Sequence, residues 1–292
     1  MNSNALIREH TLELVRLTED LPTLPDRFLK IQHVLNDPNS GANEIAEIIQ
    51  TDQATTVMVM KIASSPIYNP MNSTINKLSM AIARLGTNET ADIALSMSLL
   101  YGFAIPAGIS KIRCFWAHAY AVGLISKILI DKLPDDIDKP ETETMFLAGL
   151  LHDIGRAVLG IRVDLSYFEK EEFATCGPAL IEAEEKEFGT NHAEVGKIIL
   201  EKWGMPDDVI NIIAEHHQKT SSIGSQICSI ANRFANQHMK GFDNIEKVHQ
   251  ELSNGLAEKA VEELVKAGLI PEEETSEPID DFLVPLEDEQ KE

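Results

Sequence analysis

Two successive helices are predicted by residues 191–217, NHAEVGKIILEKWGMPDDVINIIAEHH. Asn191 can cap the first helix, with Glu194 three residues later as in a capping box, and Gly204 can end it. The two acids after Pro206 then fall in the first turn of a second helix, where the helix dipole favours negative charge. The stretch closes on two adjacent histidines, so the pattern that sets the helices also places side chains able to carry chemistry.

The same helical period recurs along the chain. Residues 52–64 begin at an Asp suited to an N-cap and stop before Pro66. Residues 74–86 run from Thr74, which can cap a helix, to Gly86, which can end one. Their apolar residues share one face: Ile75, Leu78, Ile82 and Leu85. Because we find no convincing alternating run flanked by hairpin turns, the sequence predicts an all-α fold.

The composition is that of an acidic globular protein. The 292 residues are 43% hydrophobic, and 25 Lys and Arg against 47 Asp and Glu give a net charge of −22 at pH 7. A nucleic-acid binder needs a basic face, and so does a protein that docks on anionic lipid. We therefore expect neither a nucleic acid nor a membrane as partner.

The cysteines and the N-terminus favour a cytoplasmic protein. The three cysteines are far apart and include no C-x-x-C, so a disulfide framework is not expected. The first residues, MNSNALIREHTLELV, lack the basic and apolar regions of a signal peptide. The longest apolar runs, such as residues 119–130, are too short to span a bilayer.

Two helical bundles are expected to meet near residues 104–110, AIPAGIS, where Pro and small residues separate two long helical patterns. We predict a first bundle over residues 1–105 and a second over residues 106–268, because seven of the nine histidines follow the break. Residues 269–292 form an acidic tail containing FLVPL. We interpret the tail as mobile, with docking of that patch as the alternative.

The candidate site residues are histidines and one carboxylate in helical patterns: His118, His152, Asp153, His192, His216 and His217. Imidazole and carboxylate suit a divalent transition metal such as iron, manganese, zinc or nickel. Neighbours on a helix diverge by about 100°, so His152 and Asp153 would straddle a site, with the carboxylate bridging two ions. Taken singly, each histidine is also explained as a core, helix-end or solvent-exposed residue.

A family resemblance emerges from the run AGLLHDIG at residues 148–155, which resembles the signature of the HD superfamily of metal-dependent phosphohydrolases. Other stretches narrow the resemblance to HDOD, the HD-related output domain of bacterial signalling. They are LPTLP at 21–25, IIQTD at 48–52, AIARLG at 81–86, FWAH at 115–118, WGMP at 203–206, EHH at 215–217 and SIAN at 229–232. The chain departs from the family pattern at Gln53, usually Pro, and at residues 63–65, where Asn-Ser is more usual.

The resemblance implies that the second bundle is HD-like and that the six candidate residues are its metal ligands. The later Asp of catalytic HD proteins falls at Asn232, a degenerate ligand position because a neutral amide is a weak ligand beside a carboxylate. That replacement disfavours two-metal hydrolysis. No Gly-Tyr-Pro segment follows His217, which disfavours hydrolysis of cyclic di-GMP. Either a metal is held for structure or sensing, or the histidines form a neutral network with water.

Three functions follow as hypotheses. We expect a regulatory module that contacts signalling proteins and lacks robust phosphohydrolase activity. The alternative is a metal-dependent phosphohydrolase acting on a nucleotide or another phosphoester, with Asp153 as the bridging, catalytic carboxylate. A weaker alternative is a metal or redox sensor, in which Cys114 faces the site from one turn before His118. Arg156, the cation nearest the His-Asp pair, is predicted to pair with a surface acid.

Overall fold

The computed structural model describes residues 3–16, 24–37, 41–66, 68–102, 109–218 and 222–271. Every regular element in these ranges is a helix, which confirms the predicted all-α fold. In chain order the α-helices are α1 (Ser3–Arg16), α2 (Asp26–Asn36), α3 (Ala42–Ile49), α4 (Gln53–Ala63), α5 (Leu78–Leu85), α6 (Thr87–Gly102), α7 (Ile109–Asp131), α8 (Thr142–Leu151), α9 (Ile154–Val158), α10 (Pro178–Phe188), α11 (His192–Lys202), α12 (Asp207–Glu215), α13 (Ile223–His238), α14 (Ile245–Glu251) and α15 (Ala257–Lys266).

Short irregular turns join some of these helices. A π-helical turn, Leu159–Val163, follows α9, and two 3-10 turns, Tyr167–Glu169 and Glu171–Phe173, lead to α10. A second π-helical turn, Leu252–Leu256, lies between α14 and α15. The first group of turns carries aromatic residues that surround the candidate site described below.

The chain divides into two compact units, each built from separate stretches of sequence. Among the described residues, the smaller unit takes in 24–37, 41–66, 68–102 and 245–258, and the larger takes in 3–16, 109–218, 222–244 and 259–271. In the smaller unit the apolar faces of α2, α3, α4 and α6 meet in a core that includes Phe28, Ile31, Ile45, Ile49 and Ile62.

One core cluster of the larger unit gathers buried residues from distant parts of the sequence. They are Val15, Val158, Leu159, Tyr167, Phe173, Leu180, Phe188, Val195 and Ile199. At about 25 cal/mol per Å² of apolar surface, burial of such side chains is what holds the short helices in place. The cluster lies beside the candidate site, because Tyr167 belongs to both.

The sequence predicts one bundle over residues 1–105 and a second over residues 106–268. Two helices belong to the other unit than the one that these boundaries predict. Helix α1 belongs to the larger unit because Val15 is part of its core. Helix α14 belongs to the smaller unit, where Glu246 lies 3.4 Å from Lys61 on α4. The predicted acidic tail lies outside the described residues from position 272 onward, as does the connector at positions 103–108.

Helix ends follow the predicted capping chemistry in most places. The Asn191 side chain accepts from the backbone N–H groups of Ala193 and Glu194, and Asp52 accepts from that of Thr55. The predicted helix start at Thr74 is wrong, because α5 begins at Leu78. Asn69 explains the delay: its side chain bonds both the N–H and the carbonyl of Ser73, which fixes the preceding backbone as a loop.

Two helical stretches of the larger unit match a membrane span in length and hydropathy, which corrects the expectation that none would. They are Lys111–Asp131 and Thr142–Val163, and 83% and 78% of their apolar windows are buried within the fold. Burial of that extent is typical of core helices of a soluble fold. The site residues on these stretches, His118, His152 and Asp153, therefore lie in core segments of the larger unit.

Glycines allow two close helix crossings that set the site geometry. A Cβ on Gly149 of α8 would lie 2.7 Å from the Cα of Gly123 on α7. A Cβ on Gly155 of α9 would lie 2.0 Å from the carbonyl oxygen of His192 on α11. Since real Cβ atoms do not approach that closely, only glycine permits the second crossing. It brings Asp153 and His192 together.

Candidate metal centre

The larger unit brings all the predicted site residues into one pocket. One group contains Asp153, His192, His216 and His217, with one potential ligand atom from each residue within 4.8 Å of the others. A second group contains His118, His152 and Asp153 under the same limit. Asp153 belongs to both groups, which is the geometry expected of a carboxylate that straddles a site.

Each ligand-type residue comes from a different helix or from a helix end. His118 lies on α7, His192 opens α11, and the pair at 216–217 directly follows α12. Helix α8 ends at Leu151, and Asp153 has φ −99° and ψ 11°, outside the helical range. This break removes the divergence that a continuous helix would impose, so His152 and Asp153 both face the pocket.

Two buried imidazoles hold a nitrogen ready for a ligand. His152 Nδ1 donates to the carbonyl of Gly149 at 2.7 Å, and His216 Nδ1 donates to that of Ile213 at 2.7 Å. Each Nε2 atom then carries a lone pair, and neither has a hydrogen bond among the described residues. Buried polar atoms are seldom left so, and a metal ion bound at either nitrogen would satisfy that nitrogen. The donor set therefore fits a transition metal.

His192 is oriented by a buried carboxylate that the sequence analysis missed. Glu184 Oε2 accepts from the His192 backbone N–H at 2.9 Å and from its Nδ1 at 2.7 Å. The other oxygen, Oε1, accepts from the Tyr167 hydroxyl. A carboxylate behind a metal-ligating histidine fixes its tautomer and raises its basicity. Glu184 is fully buried, one acid in the acidic run EAEEKEF.

Arg156 pairs with the site instead of with a surface acid, which corrects the prediction for this residue. Its Nη1 lies 2.9 Å from Asp153 Oδ2, and its Nε donates to the Tyr167 hydroxyl at 3.2 Å. Its Nη2 donates to the carbonyl of Phe173 at 3.0 Å. Asp153, Arg156, Tyr167 and Glu184 thus form one connected buried network that ends at His192.

Asn232 lies where the resemblance places the later acid. Its side chain hydrogen-bonds to His118, and its Oδ1 accepts from Asn236 Nδ2 at 2.6 Å. The amide oxygen is therefore already engaged inside the protein. Asp153 is the one carboxylate in either ligand group within the described part of the chain.

Burial and neighbouring charge set the protonation of the pocket. Burial lowers the pKa of His118 to about 4, reinforced by His152, and burial lowers that of His217 to about 4, reinforced by His192. The pKa of His216 is well below its usual value for the same reason. Burial alone would raise the pKa of Asp153, but the surrounding imidazoles and Arg156 hold it well below its usual range. Neutral imidazoles and an ionised carboxylate are the forms that bind metal.

Cys114 takes part in neither ligand group. It is partly buried, and burial raises the pKa of its thiol. The cysteine nearer the site is Cys228, which is fully buried on α13 one turn before Asn232. Burial, followed by the charge of Asp153, raises the pKa of that thiol, so it stays protonated.

An acidic cleft of about 740 Å³ opens beside His217, between α10, α11 and α12. Its lining includes Glu182, Glu185, Glu194 and Glu215 and one basic side chain, Lys197, and Glu194 is also paired with Arg8. A cleft with that charge repels phosphate groups and attracts cations. This access to the pocket suits a metal ion better than a nucleotide.

The fold and the pocket define a class: a helical protein with a His/Asp cluster that could hold a metal ion. The sequence profile of the HDOD domain matches residues 21–219, and the chain belongs to the HDOD domain family. Among proteins compared by sequence, an uncharacterized protein of Treponema pallidum is 24% identical over 204 residues. The match covers 68% of this chain, and it spans only 38% of the length of that relative.

Solved structures share the fold. An HDOD domain protein of unknown function from Geobacter sulfurreducens has a TM-score of 0.64 and 23% identity, covering 95% of this chain and 99% of that one. A Marinobacter aquaeolei protein, described provisionally as a signal transduction protein, has a TM-score of 0.61 and 20% identity, covering 91% and 64%. A Shewanella amazonensis protein, described provisionally as a metal-dependent phosphohydrolase, has a TM-score of 0.58 and 22% identity, covering 95% of each chain.

Proposed function

We propose that this chain is a cytoplasmic bacterial signalling protein that acts by contacting other signalling proteins and lacks robust phosphohydrolase turnover. The pocket holds a divalent transition metal that braces the helices of the larger unit, since a ligand of the folded state stabilises that state. Metal occupancy would then set the stability of the surface that a partner contacts.

One observation carries this proposal: the second ligand group has no carboxylate of its own. Asn232 stands beside His118 with its amide oxygen bonded to Asn236, so it offers neither charge nor a proton acceptor. Two-metal hydrolysis needs enough negative charge to hold both ions close together. The acidic cleft adds a second reason, because it disfavours the approach of a phosphoester.

A metal-dependent phosphohydrolase is the second candidate, favoured by the two ligand groups that share Asp153. Bound metal would supply Lewis-acid polarisation of a phosphoryl oxygen. Among this chain's residues, Asp153 and the imidazoles would position that metal, and Glu184 would hold His192. This candidate also agrees with the description of the Shewanella amazonensis protein.

Turnover by metal-loaded full-length protein tests the proposal against this second candidate. The protein is loaded separately with Fe²⁺, Mn²⁺, Zn²⁺ and Ni²⁺ and incubated with nucleotides, cyclic dinucleotides and aryl phosphates. The wild type and the variants His152→Ala and Asp153→Ala are expected to give the same background rate. Wild-type hydrolysis that both variants abolish would overturn the proposal.

Asn232→Asp is the matched gain-of-charge variant for the same assay. It restores the missing acid without a change in size. A rate that rises at least tenfold in this variant alone would show that the amide is what keeps the wild-type site inactive. Activity in the wild type equal to that of the variant would show that the replaced acid does not matter.

A further inference from the structure

All three nitrogens of the Arg156 guanidinium form hydrogen bonds inside the protein. Its three nitrogens bond Asp153 Oδ2, the Tyr167 hydroxyl and the Phe173 carbonyl, at 2.9, 3.2 and 3.0 Å. The side chain is 15% exposed. Each nitrogen of the group therefore makes one hydrogen bond within the protein, and the charge of the guanidinium lies against Asp153.

This contact leaves Asp153 one oxygen for the imidazoles. Oδ1 lies 3.5 Å from His152 Nε2 and 3.3 Å from His192 Nε2, while Oδ2 is held by Arg156. An ion bound at Oδ2 would have to share that oxygen with the guanidinium, because each carboxylate oxygen has two lone pairs. The permanent charge of Arg156 therefore opposes a second divalent ion at Oδ2.

The two ligand groups are also unequal. Asp153 with His192, His216 and His217 offers the four donors that a tetrahedral metal requires. Without Asp153, the other group offers only His118 and His152, beside the engaged amide of Asn232. Two divalent ions would bring four positive charges against one carboxylate and a neighbouring guanidinium.

We infer that each chain binds one metal ion, at Asp153, His192, His216 and His217, and that Arg156 is a positioning residue that excludes a second ion by holding Asp153 Oδ2. The inference rests on the metal site of the proposed function and adds its stoichiometry and its location. In this arrangement the partly buried His118 and the buried His152 are neutral wall residues of the pocket.

Titration of metal-free protein with Co²⁺ tests this inference, with elemental analysis after gel filtration as the count of bound ions. The visible absorption of Co²⁺ reports its coordination. The wild type is expected to hold one ion per chain with a tetrahedral spectrum. His217→Ala should weaken binding at least 100-fold, whereas His118→Ala should change it less than threefold. Two wild-type ions of similar affinity, no bound ion, or the reverse order of the two variants would each overturn the inference.

Variants at Arg156 test the cause of the stoichiometry. Arg156→Gln is expected to allow a second ion, with an affinity at least tenfold higher than any second binding by the wild type. Arg156→Lys keeps the charge and should stay at one ion. Arg233→Gln is the matched control, since Arg233 follows Asn232 on the same helix but lies 3.2 Å from Glu263, outside the site.

Each result bears on the inference by itself. One ion in Arg156→Gln, with its fold confirmed by tryptophan fluorescence, would remove Arg156 from the explanation. If that variant does not fold, the wild-type count and the two histidine variants still decide where the ion binds. All these measurements are made without substrate, so hydrolysis in the turnover assay would refute the proposed function and leave the one-ion inference standing.

Discussion

Acidification from pH 7 to pH 5 should destabilise the metal-free larger unit through imidazoles whose pKa is lowered by desolvation. His118 and His217 have pKa values of about 4 in the folded protein, against about 6.5 for an unfolded chain. Between these values the unfolded chain binds more protons than the folded one. Stability is therefore full above pH 6.5 and falls as the pH falls toward 4.

The expected size follows from the same two values. At pH 5 each unfolded imidazole is almost fully protonated, and its folded counterpart is about one-tenth protonated. The free energy of unfolding then falls by about 2 kcal/mol per imidazole between pH 7 and pH 5, or about 4 kcal/mol for both. The carboxyl pKa values of Asp153 and Glu184 are lowered, so these two groups titrate below this window.

Tryptophan fluorescence is a selective assay, because Trp116 and Trp203 are the two tryptophans of the chain and both lie in the larger unit. Urea unfolding is followed at pH 7, 6 and 5 with a chelator present. The variant His217→Gln should lose about 2 kcal/mol of the wild-type pH dependence. His238→Gln, which removes an exposed imidazole of the same unit, gives the effect of the substitution itself. Equal pH dependence in the wild type and in both variants would refute the reasoning.

Three further predictions concern single contacts. Glu184→Gln replaces a carboxylate that accepts three hydrogen bonds with an amide that can accept at only one atom. It should therefore destabilise the larger unit by about 3 kcal/mol in urea unfolding. It should also weaken Co²⁺ binding about 10- to 100-fold in a metal competition assay. Gly155→Ala places a Cβ 2.0 Å from a backbone oxygen and should lower the free energy of unfolding by about 3 kcal/mol or more. Gly196→Ala places a Cβ 3.3 Å from a methyl group and should lower it by about 1 kcal/mol. The reverse order in the same urea assay would contradict the close crossing of α9 and α11. Asp52→Ala removes the cap of α4 and the ion pair with Arg27 at 2.9 Å, so it should lower the free energy of unfolding by about 1 kcal/mol. The measurement is amide hydrogen exchange, which should be faster in α4 and unchanged in α11, the control.

Local signals determined the helices and most of the candidate pocket. Asn191 and Asp52 cap the helices that they were expected to cap, because capping depends on hydrogen bonds within three residues. Residue type and helical pattern selected the six ligand-type residues, the resemblance to HDOD added Asn232, and the fold gathers all of them. Thr74 does not cap a helix, because Asn69, which lies outside the periodic segment, hydrogen-bonds the carbonyl of Ser73 and holds this backbone as a loop.

Only the tertiary structure decided which acidic and basic side chains contact the ligand-type residues of the pocket. Glu184 was one acid in a run of them, although its place between Leu180 and Phe188 at four-residue spacing marks it as inward-facing. No sequence pattern indicated that the partner of Arg156 would be a buried carboxylate. None indicated that α1 would pack in the larger unit. The physical reason is that periodicity and capping act over a few residues, whereas these contacts depend on which buried surfaces meet when distant helices pack.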